Sequence, residues 1–277
     1  MTGYAPRSLD EALELRAAHP EAVPVAGGTD LMVEVNFGRR RPAGLLDLSR
    51  VEELQDWHRD NGAVFVGAGM TFARIARELA EFPPLVEAAR SVGSPQIRTR
   101  ATIGGNLATA SPAGDSLPVL AVYGADVLLA AAGGRRRLPL GEFLTGPKQT
   151  ALAPDELIVG VEWTPVAGPG TFAKVGTRNA MVIAVASVCL QLDERERHVR
   201  IALGSVAPTV LRARVAEAFA DEALDWDDPA AALVEFGRLA AAEAQPIDDL
   251  RGSAAYRRRA VEVLARRTLR SALEDRC

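Results

Sequence analysis

Cysteine is almost missing from this 277-residue chain: Cys189 and Cys277 are its only two, far apart in sequence. No Cys or His spacing suits an iron–sulfur cluster or a zinc site, since such sites need several ligands brought close together. Cys189 lies in an apolar, β-branched run and reads as a core thiol. Histidine is equally scarce. His19, His58 and His198 all sit in polar, turn-like surroundings, and none has a partner at ligand or general-base spacing. No long apolar run exists either: the best, residues 180–190, is too short for a bilayer, which needs about 20 residues. The opening Met-Thr-Gly-Tyr-Ala-Pro lacks a basic segment leading into an apolar one, so no signal peptide is expected. Nor is there a basic excess. A net charge of -4 gives no reason to expect nucleic acid or an anionic membrane as partner. Together these absences predict a reduced, cytoplasmic protein without its own metal centre.

What is present is ordinary globular composition, 48% hydrophobic and 25% charged, in a chain long enough for two or three subdomains. Ser8 caps a predicted helix that ends near His19-Pro20. A short strand at 23–25 runs into Ala26-Gly27-Gly28-Thr29-Asp30. Residues 31–37 then read as helix with Gly38 as stop, and 45–48 as strand. A second unit opens with a strand at 63–66 and a helix that Thr71 can cap, followed by a helical segment at 85–92. Residues 93–115 show no periodicity and predict a long functional loop. Asp115 precedes a short helix, 126–132 is a strand closed by Gly133-Gly134, and 157–163 is another strand. Residues 164–170 are the best linker. Strands at 171–175, 181–192 and 199–206 follow, the last two flanking a charged hairpin turn, and then helices at 210–220, 230–244 and 254–272. The arginine runs 39–41 and 135–137 both read as solvated turns. Trp57, Trp163 and Trp226 read as packing residues. No internal repeat is visible.

Two glycine stretches carry the chemistry: Ala26-Gly27-Gly28-Thr29-Asp30 and Thr102-Ile103-Gly104-Gly105-Asn106. Successive glycines let backbone N–H groups turn inward and approach a phosphate closely. Thr29 precedes a predicted helix, so its hydroxyl and the helix start can face one anion. Neither stretch ends in the Gly-Lys-Ser/Thr of a Walker loop. Gly67-Ala68-Gly69 begins a G-x-G-x-x-G fingerprint, but Phe72 stands where its last glycine belongs. Taken alone, either Gly-Gly pair is equally a plain turn.

In combination they mean more. Residues 26–31, 97–106 and Ala110-Ser111-Pro112-Ala113-Gly114-Asp115 resemble the flavin-binding signatures of the medium subunits of the xanthine dehydrogenase and carbon monoxide dehydrogenase family. The likeness continues through Thr145-Gly146-Pro147-Lys148, Pro154-Asp155-Glu156-Leu157, Lys174 with Arg178, Ala202-Leu203-Gly204 and Arg251-Gly252-Ser253-Ala254-Ala255-Tyr256-Arg257, in family order over nearly the whole chain. The resemblance implies an α+β protein of the PCMH (vanillyl-alcohol-oxidase) type. Two FAD-binding subdomains, 1–55 and 56–165, would be followed by a C-terminal α+β domain, 171–277, with a three-stranded antiparallel sheet and helices.

The resemblance also implies a set of cofactor residues. Val25, Ala26, Gly27, Gly28, Thr29, Asp30 and Leu31 would meet the FAD pyrophosphate, with Thr102, Gly104, Gly105, Asn106 and Thr109 approaching from the second stretch. Asp115 would bind ribose hydroxyls or nearby polar cofactor groups, although an aspartate there is also a natural helix cap. Ile158 would line the adenine or a neighbouring surface. Lys174 would favour negative charge on the reduced ring, although a strand lysine commonly faces solvent. Arg178 reads as a brace of the interdomain turn. No catalytic acid, base or metal ligand is assigned in this chain. Thr99, Phe172 and Ser205 depart from the family's common asparagine, tyrosine and glycine, which leaves the flavin environment open. The implied role is electron transfer in a heterotrimer: a [2Fe-2S] small subunit and a molybdopterin large subunit as partners, with NAD+, oxygen or a quinone as acceptor. Rival readings are a stand-alone flavoprotein oxidase, which would need a substrate base not evident here, and a flavin-free scaffold, which would have little use for two Gly-Gly stretches. A flavin spectrum separates the scaffold from the others.

Overall fold

The computed structural model describes residues 2–276, which leaves Met1 and Cys277 outside. In chain order the elements are β1 (Thr2–Tyr4), α1 (Leu9–Ala18), β2 (Ala22–Val25), α2 (Leu31–Asn36), β3 (Gly44–Asp47), β4 (Trp57–Asp60), β5 (Ala63–Gly67) and α3 (Phe72–Glu78). Then come α4 (Pro83–Ser91), α5 (Pro95–Arg98), α6 (Ile103–Thr109), α7 (Ser116–Tyr123), β6 (Asp126–Ala131), β7 (Gly134–Pro139), α8 (Leu140–Phe143), β8 (Leu144–Gly146), β9 (Gln149–Thr150) and β10 (Leu157–Trp163). The remainder is β11 (Gly170–Val175), β12 (Ala186–Asp193), β13 (His198–Gly204), β14 (Leu211–Arg212), α9 (Arg214–Ala223), α10 (Ala230–Glu243) and α11 (Ala254–Glu274). Among the described residues they form two compact units whose chain segments alternate: residues up to Ile75, Ser94–Ala110 and Ala125–Thr164 in one, and Ala76–Gly93, Ser111–Gly124 and residues from Pro165 onward in the other.

The first unit holds a parallel sheet, β1-β3-β2, and a five-stranded sheet, β4-β5-β10-β6-β7, whose pairings are antiparallel. Ser8 caps α1 as expected, its hydroxyl accepting from the Glu11 amide at 3.2 Å. Leu9, Ala12 and Leu13 of α1 are buried with Leu46 of β3, Ala130 of β6 and Leu157 of β10, so one core runs under both sheets. β4 escaped the sequence reading. Its turn is Asn61-Gly62, with φ of 49° and 84°, the left-handed pair that a two-residue hairpin requires. The arginine run 135–137 is also corrected: it lies in β7, not in a turn. Arg136 there reaches Glu156 at 2.5 Å and Arg137 reaches Glu162 at 2.5 Å.

In the second unit β11-β12-β13-β14 form an antiparallel sheet. The three long strands were expected; the two-residue β14 is a fourth. α9, α10 and α11 cover one face, while α4 lies against β11 and α7 against β12 and β13. All eight residues of β12 are therefore buried, the polar Ser187, Gln191 and Asp193 among them. The strand expected from residue 181 begins only at Ala186, because residues 176–185 take no regular form. Cys189 is fully buried within β12, and burial pushes its thiol pKa well up. Among the described residues, no helix is long and apolar enough to cross a membrane.

Candidate cofactor site

β2 ends at Val25 and the chain bends through Gly27 and Gly28 into α2. Gly28 adopts φ +71°, a left-handed conformation that glycine takes without strain. Gly27 is required for a different reason: a Cβ there would stand 1.9 Å from the carbonyl oxygen of Arg100. The first bend thus lies directly against the approach to the second, although the two are separated by some seventy residues of chain. The Gly28 carbonyl accepts the Met32 amide at 3.0 Å, but the N–H groups of Gly27, Gly28 and Thr29 have no partner among the described residues. Buried or half-buried amides are seldom left so. Asp30 begins α2 without a side-chain capping bond.

The second stretch is not the loop that its sequence suggested. Residues 103–109 form α6, capped by the buried Thr102, whose hydroxyl accepts the Gly105 amide at 3.0 Å. The Ile103 amide donates to Met70 O and the Gly104 amide to Ala68 O, at 3.0 and 2.9 Å. The amides of residues 103–105 are therefore satisfied within the protein, contrary to the expectation that both stretches offer open N–H groups. Gly104 is held by packing, since its Cβ would fall 2.6 Å from the Ala68 Cβ. Gly105 is exposed, and a Cβ there would meet only the Thr102 hydroxyl, at 3.2 Å. A side chain is excluded at Gly104 by the protein itself. At Gly105 the space is open apart from the Thr102 hydroxyl.

The 67–69 turn, set aside above as a failed fingerprint, proves to be the shelf beneath α6. Ala68 N donates to Val159 O of β10 at 2.8 Å, and a Cβ on Gly67 would fall 2.4 Å from Leu54 O. Its small residues were the available signal. Ile158, next to Val159, is 7% exposed and stands at a bulge between β10 and β6. Asn106 and Thr109 lie half-buried along α6.

In the second unit, Asp115 starts α7 but makes no capping bond, which removes the simple cap reading. Its Oδ2 instead meets Lys174 Nζ at 2.6 Å and accepts from the Ser91 hydroxyl at 3.3 Å. Lys174, expected to face solvent if it had no special role, points inward from β11. Its ammonium also donates to Ser91 O at 2.8 Å and Val182 O at 3.2 Å, using all three of its protons. Asp115 Oδ1 is buried with no partner. Burial pushes the Asp115 carboxyl up to about 6, and Lys174 acts in the opposite direction. Ser91 and Val182 carried no sequence signal for this role. Arg178 bonds Met181 O within its own loop.

The mixed α+β fold, with a bend of unpartnered amides packed against the segment leading into α6, suits the class of proteins that hold a phosphate-bearing organic cofactor. Residues 1–163 match the model of the FAD binding domain in molybdopterin dehydrogenase, and residues 171–272 that of the CO dehydrogenase flavoprotein C-terminal domain. The chain is 31% identical to the carbon monoxide dehydrogenase medium chain of Hydrogenophaga pseudoflava, over 97% of this chain and 96% of that one. It is 31% identical to the nicotine 6-hydroxylase medium subunit of Paenarthrobacter nicotinovorans, over 96% and 94%. With the nicotinate dehydrogenase FAD-subunit of Eubacterium barkeri it shares 33% identity over 66% of this chain and 65% of the relative. Among solved structures, quinoline 2-oxidoreductase from Pseudomonas putida 86 superposes with a TM-score of 0.91 at 27% identity, covering 99% of this chain and 97% of the other. A carbon monoxide dehydrogenase chain from Hydrogenophaga pseudoflava superposes with a TM-score of 0.90 at 27% identity, covering 100% and 98%. This chain belongs to the FAD-binding subunits of the carbon monoxide and xanthine dehydrogenase family, and is an oxidoreductase subunit of a molybdenum hydroxylase complex.

Proposed function

We propose that this chain carries FAD as the electron-transferring subunit of its complex, taking electrons from [2Fe-2S] clusters in a small partner and passing them to NAD+ or another acceptor. Substrate would be hydroxylated in a molybdopterin-bearing large partner. The observation that carries this reading is the close approach of Gly27 to Arg100 and Ala101, which sets a bend with three unpartnered amides against the segment that leads into α6.

FAD would supply two-electron redox chemistry at its ring. The work of this chain's residues is to hold and orient. The amides of Gly27, Gly28 and Thr29 suit diphosphate oxygens, with Val25, Ala26, Asp30 and Leu31 shaping the bend. Thr102, Gly104, Gly105, Asn106 and Thr109 form the opposing wall, Gly105 giving the close approach. Ile158 supplies apolar surface. Asp115 offers its open Oδ1 to a hydroxyl or N–H of the cofactor, and Lys174 fixes that carboxylate while keeping local charge favourable to a reduced, anionic ring. The division into 1–55, 56–165 and 171–277 belongs to the same proposal.

The test is to purify the chain with its native partners and to identify any yellow chromophore released by heat. FAD bound near one per chain, with iron and molybdenum in the complex, is the expected result, and substrate-dependent reduction of NAD+ would name the acceptor. Gly105→Val should yield folded, colourless protein. Full flavin retention by that variant, or a wild-type chain without flavin, overturns the reading.

A further inference from the structure

α2 has no buried residue at all. Short helices persist in proteins by packing an apolar face, and α2 half-buries Leu31 and Val35 on one side while its other apolar residues are left exposed. Val33 and Phe37, four residues apart and hence on one side, are 48% and 71% exposed, and Met32 beside them is 39% exposed. The patch starts at the first glycine bend: Met32 Cγ lies 3.3 Å from where a Gly28 Cβ would stand. It ends in three exposed arginines, 39–41, in a chain whose net charge is -4. The Arg39 guanidinium lies over the Phe37 ring, 5.3 Å from its centroid. Arg40 has one loose contact, 3.9 Å to Glu34, and Arg41 has no acidic partner among the described residues. The only other charge on this element is Asp30, at the glycine end. An exposed aromatic and aliphatic centre beside three arginines, only one of which meets a carboxylate, is the composition of an interface core with its rim.

We propose that α2 and the arginine turn after it form the docking surface for the electron-donating iron–sulfur partner chain, whose matching face carries carboxylates around an apolar centre. The assignment rests on the functional reading above for the cofactor's position. α2 is about 9 Å long, and it begins at the glycine bend assigned to the diphosphate. Whatever covers it therefore comes within a helix length of the bound cofactor, as an electron donor must.

The test uses the assembled complex, isolated from its native host through a tag on this chain, with Phe37→p-benzoylphenylalanine as a photo-cross-linker. The cross-link should join this chain to the iron–sulfur chain. In separate complexes, Phe37→Asp and the pair Arg39→Glu with Arg41→Glu should each lower the iron-to-flavin ratio by about tenfold, with flavin per chain unchanged. Val234→Asp, at a 56% exposed position on α10, should leave that ratio as in the wild type. A cross-link to the molybdopterin chain or to a second copy of this chain overturns the proposal. So does an unchanged iron ratio in both variants, or flavin lost together with iron. A wild-type complex lacking flavin or iron sinks the functional reading itself; iron present with the cross-link elsewhere sinks only the docking assignment.

Discussion

A glycine inside a helix costs about 0.5–1 kcal/mol against alanine, and at Gly105 only the Thr102 hydroxyl resists a side chain. Gly105→Ala should therefore leave the urea midpoint of the cofactor-free protein unchanged or slightly raised, while flavin content falls. Gly27→Ala drives a Cβ into the Arg100 carbonyl, which cannot move without shifting the capped start of α6. It should lower stability by about 1–3 kcal/mol whether or not flavin is present. Equal midpoints for the two variants would mean that the bends are not locked together. Asp115 makes a prediction of the opposite kind. Its carboxyl binds a proton more tightly in the fold than in the unfolded chain, so its contribution to stability is complete below the unfolded value and declines as pH rises through about 6. Unfolding free energies compared at about pH 4 and about pH 7 should show that decline in the wild type and not in Asp115→Asn. Lys174→Met leaves the carboxylate buried and alone, at a cost of about 3–5 kcal/mol near neutral pH. Adding Asp115→Asn to it should recover most of that loss.

Among the elements, those with strong patterns were readable: α1 with its serine cap, the largely apolar β12, and α10 and α11 with alanine and leucine at helical spacing. Those missed had physical reasons. β4, Trp-His-Arg-Asp, has one face exposed and no alternation, so only the Asn61-Gly62 turn betrays it. α6 contains two glycines among seven residues and has little propensity of its own; the segment from Ala101 to Gly104 is held by bonds to residues 68–72. The two glycine stretches were legible as tight bends and close packing points, but the occupation of the Gly104 and Gly105 amides was not, since it depends on that same packing. Asp115 and Lys174 are 59 positions apart, and nothing local pairs them. The tail block 251–257 is explained by Arg257. Its side chain is 2% exposed and donates to Val185 O and Ser205 O at 2.6 and 2.9 Å and to Asp249 Oδ1 at 2.6 Å. It ties α11 to the residues bounding β12 and β13. Arg257→Met strands those acceptors and should cost about 3 kcal/mol in urea unfolding. Arg257→Lys should recover only part of that, since an ammonium cannot reproduce the planar fork.

For the molecule as a whole, cofactor binding and folding are linked, because an unfolded chain has no converged bends with which to hold a diphosphate. A ligand that binds only the folded state at about a hundred times its dissociation constant adds about 2.7 kcal/mol. With an unfolding entropy of about 2.1 cal/mol/K per residue, a chain of this length should gain about 5 °C in Tm on saturation with FAD. FMN, which lacks the diphosphate and adenosine, should give a much smaller rise. In Gly105→Val the FAD-dependent shift should vanish while the cofactor-free Tm stays near that of the wild type, since the new side chain occupies space outside the protein's own packing. Phe37→Asp, on the exposed face of α2, should keep the full shift even where it releases the iron-bearing partner. A shift of equal size with FMN would place the binding energy in the ring pocket and leave the glycine bends without their assigned role.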